Sequence, residues 1–450
     1  MKKFVQIAAG VLIGGAVASV VLACCGADRA LDFMKYYAAI GTVGALGVFA
    51  ASALAFKAVW RRPSLIALHL GLALVLGGWV FNELAGPRDG YLRLRAGQAG
   101  RVAEEDAVAS EGFVLELKDF AIDRWPDTGT VRQYTSTATM ELTDAEGTTT
   151  TRPVSISVNH PLVENGWWVY QTSFEELENP HTGEPLYFTI LQCVKDVGLP
   201  IATVGGALLI LGSLLYGLWM LVKMRDGGRA EARPSRGCWA LFAAYGVVFV
   251  GVVAMLVHRG LSTGHPPLQN LYEFLMCAAA IIPIRTFFEA RGASEKDRIR
   301  TLLVDAFLQT LVLIPVCFVM DGRVKHLMPA LQSPFFVPHV GAYVIGYIFL
   351  VRAALGVGCQ LVGLGFFLLT FGLVLGAAWG KVCWGHWWQF DPKEMWSLAT
   401  WLTYAAYFHL RVRLSPRAQH GFLIAGAVMI ILTLTWINLS RIFTGMHSYA

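Results

Sequence analysis

The sequence predicts a polytopic α-helical membrane protein of about eleven transmembrane helices with a small extracytoplasmic β domain. Three observations predict it. The chain is 55% hydrophobic and 15% charged, with a mean hydropathy of +0.53, too apolar for an ordinary soluble domain. Apolar runs of spanning length recur along most of its 450 residues. One stretch, residues 85–197, switches to a period of two. No nucleotide-binding motif is present, and the net charge of +5 gives no reason to expect a nucleic-acid partner.

The N-terminal unit, 1–84, holds three spans. Met1 to Cys24 combines a Lys2-Lys3 start with a long apolar run and Val-Leu-Ala-Cys, which mimics a lipoprotein signal. An uncleaved first helix is the preferred reading, because a second spanning run (about 36–56) follows almost at once and a third (about 64–84) after it. In 85–197, Phe113, Leu115 and Leu117 alternate with Val114, Glu116 and Lys118. Val154, Ile156 and Val158 alternate with Ser155, Ser157 and Asn159. This is the pattern of antiparallel strands with one buried face. A fourth helix covers 198–224, and a Gly-, Ala- and Arg-rich linker, 225–236, joins it to a second transmembrane unit, 237–450. The spans there fall near 239–258, 268–289, 301–320, 340–359, 360–380, 395–412 and 420–440.

Charge sets the orientation. Lys2 and Lys3, Lys57 with Arg61 and Arg62, the 223–236 linker, Arg285 to Arg300, and Arg411, Arg413 and Arg417 all fall on one side when spans alternate. That side is cytoplasmic by the positive-inside rule. The β domain, Gly264-His265-Pro266, loop 321–339, the aromatic run after Trp384 and the C-terminal tail then share the outer face. The eight cysteines are scattered, with neither a disulfide framework, nor zinc spacing, nor a C-x-x-C-H segment.

The run Trp384-Gly385-His386-Trp387-Trp388-Gln389-Phe390-Asp391-Pro392-Lys393-Glu394-Met395-Trp396 is the densest feature. Asp391, Pro392 and Glu394 read as N-cap, first helical residue and capping-box partner, so a helix starts near Pro392. Asp391 thereby reads as a cap in preference to an acid catalyst. Trp384, Trp387, Trp388 and Phe390 form either an interfacial belt or a platform for a flat aromatic ligand. Four rings within seven residues favour the platform. Four histidines form two pairs. His69 and His409 sit at matching depth near the cytoplasmic ends of their helices, where an ionisable residue is usually functional or bonded to another helix. His339 and His447 flank spans on the outer side. Two neutral imidazoles make a good axial set for haem iron. Zinc wants about four ligands, and no Cys/His cluster supplies them.

The Trp384–Trp401 run resembles the W-G-x-x-W-x-W-D-P-K-E-x-W signature of the WWD haem-handling family. Phe390 departs from it, keeping a ring but losing the indole N–H. Leu331-Gln332-Ser333 through His339 to Gly346-Tyr347, and Gly445 to Tyr449, resemble CcsA/ResC motifs around two external haem-ligand histidines. Gly264 to Glu273 resembles another segment of that family, in which His265 and Glu273 are positional. Asn159-His160-Pro161-Leu162 with Gly166 to Gln171 resembles the ResB/CcsB signature; His160 beside a proline reads as structural. The whole chain therefore resembles a fused ResB/CcsB-like and CcsA-like system II cytochrome c synthase, of the short-form CcsBA type.

That resemblance implies a bacterial inner-membrane protein, multi-pass and surrounded by lipid, that transports haem b and attaches it to apocytochrome c. Haem would enter between His69 and His409 and reach a platform of Trp384, Trp387, Trp388, Phe390, Asp391 and Trp396, with His339 and His447 as axial ligands. There its vinyl groups would meet the two cysteines of a C-x-x-C-H segment, kept reduced by a thioredoxin-like thiol reductant. A b-type transmembrane electron carrier and a haem exporter without lyase activity use the same ligand sets and remain open at this level.

Overall fold

The computed structural model describes residues 57–85, 88–104, 112–178, 183–226, 236–291, 294–389 and 391–439, with scattered positions between 43 and 54. The expected first span with Cys24, most of the second, the 227–235 part of the linker, Phe390 and the tail with His447 lie outside the described residues.

Nine long helices are described: α1 (Pro63–Ala85), α2 (Leu199–Asp226), α3 (Arg236–Thr263), α4 (Leu271–Arg291), α5 (Glu295–Phe318), α6 (Phe336–Ala354), α7 (Val362–Trp384), α8 (Pro392–Leu410) and α9 (Pro416–Leu439). Among the described residues, eight of them are long and apolar enough to cross a membrane; α8, with Lys393, Glu394 and His409, is the less apolar ninth. The chain is a polytopic membrane protein with a small antiparallel β domain. Two boundaries differ from expectation and matter. Helix α6 begins at Phe336, so His339 lies inside its first turn; Pro338, in that same turn, is tolerated there because its missing N–H would have no intrahelical partner. Helix α7 runs on to Trp384, which therefore ends a helix instead of opening a loop.

The β domain comprises β1 (Arg88–Leu94), β2 (Ala99–Val102), β3 (Phe113–Arg124), β4 (Val131–Thr143), β5 (Thr149–Ser157), β6 (Leu162–Glu164), β7 (Trp167–Glu178) and β8 (Pro185–Lys195). They form two four-stranded antiparallel sheets, ordered β1-β8-β7-β6 and β2-β3-β4-β5. The alternation has the expected consequence: Leu115, Leu117, Met140 and Ile156 of one sheet meet Val169 and Leu191 of the other in one fully buried core. Each such side chain contributes about 1.5–3 kcal/mol by burial.

Glycines set how closely the helices approach. Gly71 and Gly78 on α1 face Gly205 on α2 and Gly198 just before it, while Gly212 on α2 meets Ala67 and Leu68; both sets of glycines repeat every seventh residue, as a left-handed crossing requires. A Cβ at Gly71 would lie 2.8 Å from the Gly205 carbonyl oxygen, so the backbones touch. Helix α2 turns its other side to α7, with Gly217 against Phe367 and the Tyr216 hydroxyl against Gly363. At the helix ends away from the β domain, buried Arg352 holds Asp305 (2.7 and 2.9 Å) and Glu289 (2.8 Å), tying α4, α5 and α6 together.

Candidate functional site

Two sites emerge at opposite ends of the bundle. At the end away from the β domain, α1 carries His69 and α8 carries His409, and their ring centroids lie 6.1 Å apart at an interplanar angle of 79°. Each ring is steered by its own helix: Nδ1 of His69 donates to the Leu65 carbonyl and Nδ1 of His409 to the Ala405 carbonyl, both at 2.8 Å. A carbonyl only accepts, so both protons sit on Nδ1. In the neutral ring the lone pair is then on Nε2, the tautomer a metal ligand needs. Two imidazoles bonded to opposite faces of one iron at about 2 Å have centroids about 6 Å apart.

At the other end, the loop before α6 is built like a clamp. Arg259, joined to buried Glu273 (2.5 Å), donates to the carbonyls of Gly322 and Arg323. Glu273 is thus positional. The Asn159 amide, on a tight turn at φ +66° beside β5, donates to the carbonyls of Pro329, Ala330 and Gln332 at 2.9, 3.3 and 3.2 Å. Trp379 Nε1 also donates to Ala330. At the tip of the β3–β4 hairpin, Asp127 pairs with His326 (2.6 Å), whose ring stacks on Trp125 at 4.2 Å. The β domain therefore grips the segment that leads into His339. His339 donates from Nδ1 to the Gly372 carbonyl on α7 at 2.7 Å and meets Tyr343 and Trp379 edge-on. Gly376 makes room for it; a Cβ there would lie 2.8 Å from Nδ1.

The aromatic run follows from the end of α7. Trp384 turns back onto Trp379 (5.6 Å) instead of facing outward. Gly385 takes φ +82°, ending the helix in the left-handed conformation open to glycine. Trp387 and Trp388 are half-buried, and Trp387 Nε1 is buried with no hydrogen-bond partner among the described residues. An orphaned indole donor on an apolar surface fits an acceptor brought by a ligand. Asp391 caps α8 as expected: it accepts from Lys393 N while Glu394 accepts from Asp391 N. Trp396 lies one turn into α8, half-buried.

Sequence reasoning missed the seat under this run. Lys381 on α7, 2% exposed, pairs with Asp196 at the end of β8 and donates to the Gly385 carbonyl at 2.8 Å. Its ammonium lies 5.7 and 5.5 Å from the rings of Trp168 and Tyr170 on β7. Gln192 donates from its amide to His386 Nε2 at 2.8 Å, which requires a neutral imidazole. Burial, with the Lys381 charge beside it, holds His386 below the ordinary imidazole range. A lysine in the last turn of an apolar run was the one available signal, since a buried charge demands a partner. Among the described residues, no three His, Cys, Asp or Glu side chains gather as a metal site. The imidazole pair suits an iron that brings its own equatorial nitrogens.

The model of the ResB-like family matches residues 42–185 and that of the family described as Cytochrome C assembly protein matches residues 357–447. The chain is also similar to cytochrome c biogenesis protein CcsA of Chlamydomonas reinhardtii, 29% identical over 247 residues, 45% of this chain and 66% of that protein. With the CcsA of Prochlorococcus marinus (strain MIT 9303) it is 25% identical over 325 residues, 58% of this chain and 97% of that protein. The chain joins a ResB-like part to a CcsA-like part, the arrangement of a CcsBA-type fusion. In the fusion, His69 falls inside the ResB-like match and His409 inside the cytochrome c assembly match. Each family contributes one imidazole to the pair.

Proposed function

We propose that the fusion acts in cytochrome c biogenesis as a holocytochrome c synthase that moves haem b across a bacterial inner membrane and attaches it outside. The observation that carries this reading is the His69–His409 pair: two imidazoles from separate family modules, 6.1 Å apart, each with Nδ1 bonded to a carbonyl of its own helix. The side holding this pair is cytoplasmic, because Arg61, Arg62, Arg411, Arg413 and Arg417 crowd it.

Haem is substrate and cargo. At the outer face His339, together with His447 beyond the described residues, would supply the axial ligands. Trp384, Trp387, Trp388 and Phe390 with the capped start of α8 (Asp391, Trp396) would supply the platform. The role of these side chains is to hold and orient. The chemistry is addition: each cysteine S–H of the C-x-x-C-H segment adds across one vinyl C=C, sulfur to one carbon and hydrogen to its neighbour, giving a thioether with no leaving group. Positioning vinyl carbons against two thiols replaces a chance encounter with an oriented one. The thiols must arrive reduced, which assigns a thioredoxin-like reductant as a partner beside apocytochrome c.

The test is co-expression with a C-x-x-C-H polypeptide in a host lacking its own assembly system. Haem that stays on that polypeptide through acid–acetone extraction is expected. Extractable haem alone, at full expression of both chains, means an exporter and contradicts the synthase reading.

A further inference from the structure

Two arginines that have no carboxylate partner among the described residues stand at the helix ends that carry the inner pair. Arg62 stands at the start of α1, its carbonyl accepting from Leu65 N and Ile66 N. It is two helical turns before His69, about 10 Å along the axis and on the same face. Arg411 closes α8, two residues beyond His409, its N–H bonded to the Tyr407 carbonyl. Both arginines therefore lie on the aqueous side of the imidazoles, one from each module.

Each guanidinium lies against an aromatic ring. Arg62 Cζ sits 4.2 Å from the ring centroid of Trp219 on α2, and Arg411 Cζ sits 5.0 Å from that of Phe408 on α8. Tyr216, in ring contact with Trp219 at 5.7 Å, is within electrostatic reach of both. A guanidinium is planar by resonance, and contact with an aromatic face leaves its edge N–H groups available to an anion. Two positive forks held on one side of two imidazoles match a dianion whose charges sit on one edge of a flat, apolar body.

We propose that Arg62 and Arg411 form a carboxylate cradle for the two propionates of haem at the inner site, positioned by Trp219, Phe408 and Tyr216. The proposal rests on the reading of His69 and His409 as a haem site and adds an orientation to it. The propionate edge faces the cytoplasm and the vinyl edge points into the membrane. Such a cradle selects a dicarboxylate porphyrin over its ester, which imidazole ligation alone does not.

The test titrates the purified full chain with haem and, separately, with haem dimethyl ester, following the low-spin Soret band. The His69→Ala chain serves to subtract outer-site binding. Wild type is expected to bind the acid about tenfold or more tightly than the ester, the worth of one charge-assisted pair. The Arg62→Gln/Arg411→Gln chain is expected to lose that preference while binding the ester as wild type does, which also shows that its fold is intact. Equal affinity of wild type for acid and ester overturns the cradle. A double variant that loses acid and ester alike also overturns it. A His69→Ala chain with an undiminished signal overturns the inner site itself, and the cradle with it.

Discussion

The two ends of the bundle hold their histidines by different means. His69 and His409 each bond to a carbonyl of their own helix, so their separation depends on how α1 and α8 stand relative to one another. His339 bonds to a carbonyl of a neighbouring helix, and the segment leading into it is gripped by Asn159, Arg259 and the β3–β4 hairpin. An imidazole pair whose spacing follows helix packing suits a site that must take up and give up its ligand. A histidine fixed by a neighbouring helix and by a second domain suits a site that must orient one. Under the proposed function the inner end would serve passage and the outer end placement.

The contrast is broken most strongly at the outer ligand. His339→Gly is expected to abolish covalent haem attachment, and free imidazole in the millimolar range to restore part of it, because the untethered ligand carries its own association cost of several kcal/mol. Trp387→Ala removes ring area instead, about 0.5–1.5 kcal/mol beyond burial, and imidazole is expected not to restore it. Attached haem on a co-expressed C-x-x-C-H polypeptide reads both. Imidazole rescue of the tryptophan variant would mean that imidazole acts elsewhere.

Next in size is the seat of the aromatic run. Lys381→Met leaves the largely enclosed Asp196 carboxylate without its cation and is expected to cost about 3 kcal/mol, seen as a lower melting temperature of the detergent-solubilised chain. Lys381→Met combined with Asp196→Leu should recover most of that loss. A single variant as stable as wild type would show that the pair does not seat the loop.

The smallest effect is a pH dependence. His386 has a folded value below the ordinary imidazole value of 6.5, so an undocked ring binds more protons than a docked one. The contribution of docking is therefore present above that value and declines as pH falls from it toward the lower, folded one. Protease protection of the β domain should weaken below about pH 6.5 and become flat in His386→Gln. An acid-insensitive wild type would remove His386 from the seat.

Much of this was legible in the sequence, for physical reasons. The strand period at Phe113–Leu117 reports one buried face, and the Asp391-Pro392-Glu394 cap is local chemistry within four residues. The helix ends were less legible: an apolar run does not reveal that α7 continues to Trp384, because the Gly385 stop depends on one backbone angle. The contacts of Asn159, Lys381, Gln192 and His326 were out of reach, since their partners lie far away in sequence and no periodicity encodes a contact between domains.

The central claim is that haem passes from the inner pair to the outer platform. Its most direct test is the haem content of the outer site in His69→Ala and His409→Ala, measured on purified chains with His339 intact. The account predicts that outer haem falls about tenfold or more in each variant, because a lost axial ligand removes the entry site. Normal outer haem with normal cytochrome yield in either variant would contradict it.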